Sequence, residues 1–176
     1  MKPFSLSESA IAGDSLRGEL ESGRIGAIAI FEGRVRDHND GRAVTRLEYH
    51  AYVSMAEKEM QRIAEEIARE IPGVRLAALH RIGSLAVGDL AVVCAAGAAH
   101  GGEAFQACRL LIYRIKLSVP IWDREHDADG KDSEDERVQA RIGHVGDLDL
   151  LVQQKGHQSA EDDEDQHPEQ EDAGGG

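Results

Sequence analysis

The chain has 176 residues and a formal net charge of −13, which allows one domain of ordinary size with a sizeable core. The acidity argues against a nucleic acid as partner, because no basic stripe is available to neutralise phosphates. No apolar run reaches membrane-spanning length and no secretion signal is visible, so we expect a cytosolic protein without membrane contact.

The last part of the chain differs from the rest in composition. From residue 156 onward there are eight acidic residues and no Lys or Arg, and removing these eight from the total leaves −5 for residues 1–155. The segment is polar, lacks an apolar period and ends in three glycines. We therefore predict a domain over residues 1–150 and a disordered acidic tail over residues 151–176.

Hydrophobic periodicity predicts four elements in the first half of the domain. In chain order they are a short helix, a strand, a second strand that returns after a loop, and a long helix, over residues 14–22, 24–31, 44–49 and 54–71. Apolar residues on both faces of the first strand indicate an interior strand. The long helix is expected to begin with a capping box of Ser54 and Glu57, and to end at Pro72 and Gly73.

The second half predicts two strands, a helix and an extended segment, over residues 74–79, 90–95, 103–117 and 120–122. The helix places four apolar side chains on one face, Phe105, Cys108, Ile112 and Ile115. Residues 127–136 are charged and contain glycine, which predicts a mobile loop. Elements in this order indicate an α+β domain with mixed and antiparallel strands and two main helices.

The cysteines and acidic residues of the chain do not have the spacing of a metal-binding site. Cys94 and Cys108 lie in apolar surroundings without CxxC spacing, so we expect buried free thiols rather than a zinc site. The acidic residues after position 127 lack the spacing of a calcium-binding loop. We expect no metal and no cofactor.

A cationic loop follows the first predicted strand. Residues 33–39 (GRVRDHN) bring Arg34, Arg36 and His38 together in an otherwise acidic chain. Guanidinium groups match phosphate or carboxylate in two-point geometry, so the loop is a candidate site for a small anion. A solvated turn with extended arginine side chains is the alternative interpretation.

Two further residues are candidates for the same site. His100 precedes a glycine pair at a predicted helix N-terminus, where free N–H groups favour anions; a helix-capping or core histidine is the alternative. Lys116 lies in the last turn of that helix. A lysine there either pairs with the helix dipole or, with its pKa lowered by neighbouring cations, donates and accepts protons.

Together these segments resemble the large, catalytic subunit of molybdopterin synthase, over about residues 26–125. The resemblance also rests on LEYHAY at 47–52, MAEK at 55–58, HRIG at 80–83 and PIW at 120–122. It implies a homodimer of α+β subunits that each bind one ubiquitin-like small subunit, giving a heterotetramer. The small subunit's C-terminal thiocarboxylate passes its sulfur to cyclic pyranopterin monophosphate, and two transfers produce the dithiolene of molybdopterin.

The resemblance also implies roles for particular residues. Lys116 matches a catalytic lysine, and His100 matches a residue contributed across the dimer. Substrate binding is assigned by position to Arg34, Val35, Arg36, His100, Gly101, Asp123, Arg124 and Glu125.

Two of these positions depart from the family, which has arginine at position 101 and lysine at position 123. The chain has Gly101 and Asp123 there, and Arg124 or Lys131 is a candidate to replace the missing charge. One hypothesis is therefore a sulfur-transferring enzyme. The other is a weakened or inactive paralogue that keeps the dimer and the small-subunit contact.

The predicted tail gives a first test. Truncation after Lys155 is expected to leave the melting temperature of the protein within about two degrees of the full chain, because a disordered acidic segment buries little apolar surface. Differential scanning calorimetry of both proteins measures this. A drop of many degrees would mean that the tail packs on the domain.

Overall fold

Two β-sheets and three helices make up the computed structural model, which describes residues 2–39, 42–127 and 132–135. In chain order the elements are β1 (Phe4–Ser7), α1 (Arg17–Leu20), β2 (Ala27–Arg34), β3 (His38–Asn39), β4 (Arg42–Ala51), α2 (Val53–Glu70), β5 (Arg75–Arg81), β6 (Gly83–Ala86), β7 (Leu90–Ala98), α3 (Gly101–Ser118), β8 (Ile121–Asp127) and β9 (Asp132–Asp135). The α+β class is confirmed. The acidic tail, residues 151–176, lies outside the described residues.

The first sheet has the strand order β1-β5-β7-β2 and carries the main core. Only the β1–β5 pair is parallel; β7 runs antiparallel to β5 and to β2. Helices α2 and α3 cover one face, where Met60, Ile67 and Leu111 are fully buried. The opposite face is covered near α1, where Leu16 and Leu20 are fully buried against β5 and β7.

The prediction that the first strand is an interior strand is wrong. In the sheet formed by the described residues, β2 pairs with β7 alone and lies at the edge. Its apolar residues alternate between the two covered faces, with Ala29 in the core beneath the helices and Ile28 and Ile30 in the opposite cluster. An apolar run on both faces reports that both faces are covered, and it carries no information on how many strand neighbours there are.

Helix α2 begins one residue earlier than predicted, and the capping box is absent. Tyr52 is the N-cap residue and no side chain caps the helix. The Tyr52 N–H donates to the Pro120 carbonyl at 3.3 Å, and the Ala56 N–H donates to the Tyr52 carbonyl at 2.8 Å. Pairing with the chain before β8 therefore fixes where β4 ends and α2 starts. The predicted end is confirmed, since Gly73 follows with a positive φ of 86°.

Helix α3 starts at Gly101 and leaves Phe105 exposed, although the sequence placed that side chain in the core. Phe105 is 73% exposed, whereas Cys108, Ile112 and Ile115 are buried as predicted. In the first turns of α3 the buried residues are Ala104 and Ala107, so Phe105 lies outside the buried face of the helix. Both cysteines are buried free thiols, as expected.

The second sheet has the order β3-β4-β8-β9, and β6 also pairs with β4. Strand β4 therefore returns into a separate sheet instead of pairing with β2. The prediction of a loop over residues 127–136 is wrong for β9, which pairs with β8. Backbone groups can form strand hydrogen bonds even where the side chains are charged, so composition alone did not reveal this strand. Of the short elements, β1, β3 and β6 were missed and α1 is shorter than the predicted helix.

Within the described part of the chain, no helix combines the length and the apolar character that a membrane crossing requires.

Two methionines of α2 test the packing of this helix. Met60 is fully buried and Met55 is 59% exposed, so the same substitution can be compared on the buried and on the exposed face of the helix. Met60→Ala is expected to lower the free energy of unfolding by about 2–5 kcal/mol, because it leaves a cavity beneath the helix. Met55→Ala is expected to cost less than about 0.5 kcal/mol. Urea unfolding measures both, and equal losses would contradict the packing of α2.

Candidate active site

A small pocket of about 80 Å³ lies where the end of α3 meets both sheets. The first sheet contributes the end of β2, the end of β5 and the start of β7, and the second sheet contributes β4 and β8. Most of the lining is aliphatic. Its polar side chains are Arg34, Tyr49, His80 and Lys116.

Lys116 extends from the last turn of α3 into this pocket. Burial lowers the pKa of its ammonium group, and the charge of Arg36 lowers it further, while Cys94 and Asp123 act in the opposite direction. The sequence predicted a lowered pKa but attributed it to neighbouring cations; burial is the larger cause. A lysine in this state gives up its proton more readily than one in water.

The arginine loop is held by the turn between β6 and β7. A bulge interrupts the β2–β7 register between Gly33 and Arg34. The Arg34 guanidinium donates to the Gly88 carbonyl at 3.1 Å and to the Glu32 carboxylate at 2.9 Å. Val35 is buried, and its N–H donates to the Asp89 carbonyl at 3.0 Å. The loop is thus fixed rather than a solvated turn, although the side chains of Arg34 and Arg36 stay exposed.

The far end of the loop is tied to the second sheet. Asn39 is buried, and its side-chain amide donates a hydrogen bond to the Glu125 carboxylate on β8. Glu125, predicted to bind substrate, thus has a structural partner inside the chain. Asn39 received no role from the sequence, and a single polar residue at the end of a loop offers little signal for one.

Strand alternation separates Asp123 and Arg124 on β8. Asp123 lies opposite Tyr49 in the register and Arg124 lies opposite Glu48. Because neighbouring residues of a strand point to opposite faces, Asp123 lies on the face of Tyr49 and the pocket, and Arg124 on the other. Burial is the larger cause of the raised pKa of Tyr49, and the Asp123 carboxylate raises it further; the same carboxylate partly offsets the lowering of the Lys116 pKa by burial. The register gives no support to Arg124 as a replacement cation, and Lys131 lies outside the described residues.

His80, at the end of β5, is a pocket residue to which the sequence assigned no role. It is 7% exposed, and burial lowers its pKa to about 4, so the ring is neutral at physiological pH. Its Nδ1 lies 2.7 Å from the Arg81 carbonyl oxygen. Its ring meets that of Tyr49 edge to face, with centroids 4.9 Å apart. The available signal was a histidine ending an apolar strand within the HRIG segment.

His100 and Gly101 are distant from Lys116 in the same chain. His100 is the N-cap residue of α3, is exposed and makes no side-chain capping bond, which argues against both alternative roles considered for it. At 1.5 Å per residue, the helix separates His100 from Lys116 by about 24 Å. One chain therefore does not bring these two residues to one small ligand.

No cluster of three or more His, Cys, Asp or Glu side chains suited to a metal ion occurs in the described residues.

These features define a class of protein: an α+β protein with an enclosed lysine beside arginines, a pocket suited to acid–base chemistry on a small anion. The MoaE protein family matches residues 6–118. The molybdopterin synthase catalytic subunit 1 of Mycobacterium tuberculosis is 41% identical over 125 residues, which are 71% of this chain and 85% of that protein. The chain belongs to the MoaE protein family.

Other comparisons agree. The molybdopterin synthase catalytic subunit of Pyrococcus abyssi is 43% identical over 112 residues, covering 64% of this chain and 76% of that protein. The crystal structure of molybdopterin synthase from Staphylococcus aureus has a TM-score of 0.74 and 36% identity to this chain, and the match covers 77% of this chain and 98% of that one.

The buried His80 predicts a pH dependence of stability. Its folded pKa of about 4 lies below its ordinary value of 6.5, so the unfolded chain takes up the proton first as the pH falls. Stability is therefore lost between about pH 6.5 and pH 4, by up to about 3 kcal/mol. His80→Asn does not titrate and is expected to show a correspondingly flatter curve in urea unfolding. Parallel curves would contradict the buried neutral ring.

Proposed function

We propose that the chain is the catalytic subunit of a molybdopterin synthase. It transfers sulfur from the C-terminal thiocarboxylate of a ubiquitin-like small subunit to cyclic pyranopterin monophosphate, as part of molybdenum cofactor biosynthesis in the cytoplasm. Membership of the MoaE family supports this function. The single observation that carries it is Lys116, enclosed with a lowered pKa between the arginine loop and the second sheet.

The residues of the pocket have distinct roles in this proposal. Arg36, which is exposed and whose charge acts on Lys116, and Arg34 bind the phosphate, because charge-assisted hydrogen bonds to anions are roughly twice as strong as neutral ones. Lys116 donates and accepts the proton at Nζ that the transfer of sulfur requires. Val35 fixes the loop through its backbone, and Glu125 fixes it through Asn39.

The substrate site is proposed to be completed by a second copy of the chain. The length of α3 keeps His100 about 24 Å from the Lys116 of its own subunit. An exposed histidine at a helix N-terminus is well suited to an anion, because free N–H groups lie beside it. In a homodimer, His100 and the adjacent Gly101 then face the pocket of the partner.

The pocket also suits the proposed end of the small subunit. Its volume of about 80 Å³ admits a narrow chain end, and terminal glycines have no side chain to exclude. The same enclosure keeps water from the thiocarboxylate while the sulfur is transferred.

A weakened paralogue is the second candidate, favoured by Asp123. Its carboxylate lies on the pocket face of β8 and interacts with Lys116. A negative charge there opposes the binding of an anionic substrate, and Gly101 supplies no cation to offset it.

Replacing Lys116 tests its role. Lys116→Ala is expected to abolish conversion of cyclic pyranopterin monophosphate by the complex reconstituted with the small subunit, because the proton carrier is lost. Binding of the small subunit, measured by calorimetry, is expected to persist. Lys58→Ala on the exposed side of α2 is the matched control. Full activity of the Lys116 variant would rule out the proposed chemistry.

Restoring the two missing cations tests the choice between enzyme and paralogue. The double change Gly101→Arg and Asp123→Lys is expected to raise turnover about tenfold or more, because each cation adds roughly 1–3 kcal/mol of anion stabilisation. Turnover created only by the double change would support the paralogue. A parent enzyme that the change does not improve would refute the claim that positions 101 and 123 weaken the site.

A further inference from the structure

The tautomer of His80 is determined by its surroundings. A backbone carbonyl only accepts hydrogen bonds, so the Nδ1 that lies 2.7 Å from the Arg81 oxygen carries the proton. The neutral ring then has a lone pair on Nε2. Among the described residues, the Arg81 contact is the one hydrogen bond that the His80 ring makes.

The ring is also held in place. Tyr49 contacts it edge to face at an interplanar angle of 77°, and 93% of the residue surface is buried. His80 and Lys116 line the same small pocket, and the lysine charge acts on the imidazole. A fixed acceptor thus lines the same pocket as a half-buried ammonium group.

We propose that His80 is a positioning residue for Lys116: when the flexible lysine side chain turns toward the ring inside the shared pocket, the His80 Nε2 accepts a hydrogen bond from the Lys116 Nζ and fixes the direction in which the lysine presents its other N–H groups and, once deprotonated, its lone pair. The proposal rests on the sulfur-transfer function proposed above and adds a residue to it. An anion is not a suitable partner for this Nε2, because an acceptor repels an acceptor.

The other groups that face Lys116 determine what the loss of this acceptor does. Asp123 from β8 and Cys94 from β7 raise the pKa of Lys116, and Arg36 lowers it. Arg34 from β2 and Tyr49 from β4 also line the pocket. A neutral acceptor stabilises the ammonium form, so its removal is expected to lower the pKa of Lys116 further.

Two amide variants separate the two ring nitrogens. His80→Asn keeps a donor near the position of Nδ1 and loses the acceptor at Nε2, whereas the longer side chain of His80→Gln brings an amide oxygen near Nε2. Competitive acylation of the full chain with acetic anhydride, read by mass spectrometry, gives the titration midpoint of Lys116. His80→Asn is expected to lower this midpoint by about one pH unit, and His80→Gln to keep it within about 0.3. Identical midpoints in the parent and both variants would overturn the proposal.

Turnover in the reconstituted complex gives a second readout. His80→Asn is expected to lower kcat about tenfold with KM within about threefold, and His80→Gln to recover most of the loss. His50→Gln, on the opposite face of β4, is the control and is expected to match the parent. If the parent itself does not turn over, the proposed function fails while the acylation still decides the role of His80.

A third measurement keeps His80 in place and therefore does not depend on whether the His80 variants fold. The 15N chemical shift of the His80 Nε2 in the parent is expected to change when Lys116→Met removes the donor and keeps the volume. An unchanged shift would overturn the proposal.

Discussion

The partial burial of Lys116 at the end of α3 is the constraint on which the site depends. Leu111, Ile112 and Ile115 fix the helix against the sheet, and the next residue, Lys116, is half-buried beside them. Water that would stabilise the ammonium is lost, so its pKa falls. The same packing that stabilises the fold therefore produces the reactive amine, and a substitution at Ile115 would disturb both.

The pocket exists because two separate sheets meet at this helix end. The first supplies Arg34 and His80, and the second supplies Tyr49 and Ile121. The edge-to-face contact between Tyr49 and His80 joins the two sheets, and the hydrogen bond from Asn39 to Glu125 holds the end of the arginine loop to β8 within the second sheet. Neither sheet alone encloses the lysine, which explains why residues far apart in sequence determine one site.

The sequence predicted the elements in which a hydrophobic period continues over many residues. Most of the wrong predictions concern elements whose position depends on the rest of the fold. The buried positions of α2 and the last turns of α3 followed from helical spacing. The edge position of β2 and the start of α2 at Val53 depend on pairing with distant segments, whereas β9 forms a local hairpin with β8 that its charged sequence does not indicate. Within the site, the arginine loop and Lys116 were predicted from charge and resemblance. His80 was missed because its role comes from a pocket that only the fold creates.

Asp123 distinguishes this chain from the pattern it resembles, and it makes the position of the substrate the central question. The most direct measurement is a crystal structure of the chain with cyclic pyranopterin monophosphate bound. The phosphate is expected beside Arg36 of one subunit and His100 of the other, with the Lys116 Nζ facing the pterin. Substrate bound away from the pocket of Lys116, or held by His100 and Lys116 of the same subunit, would contradict the proposed site.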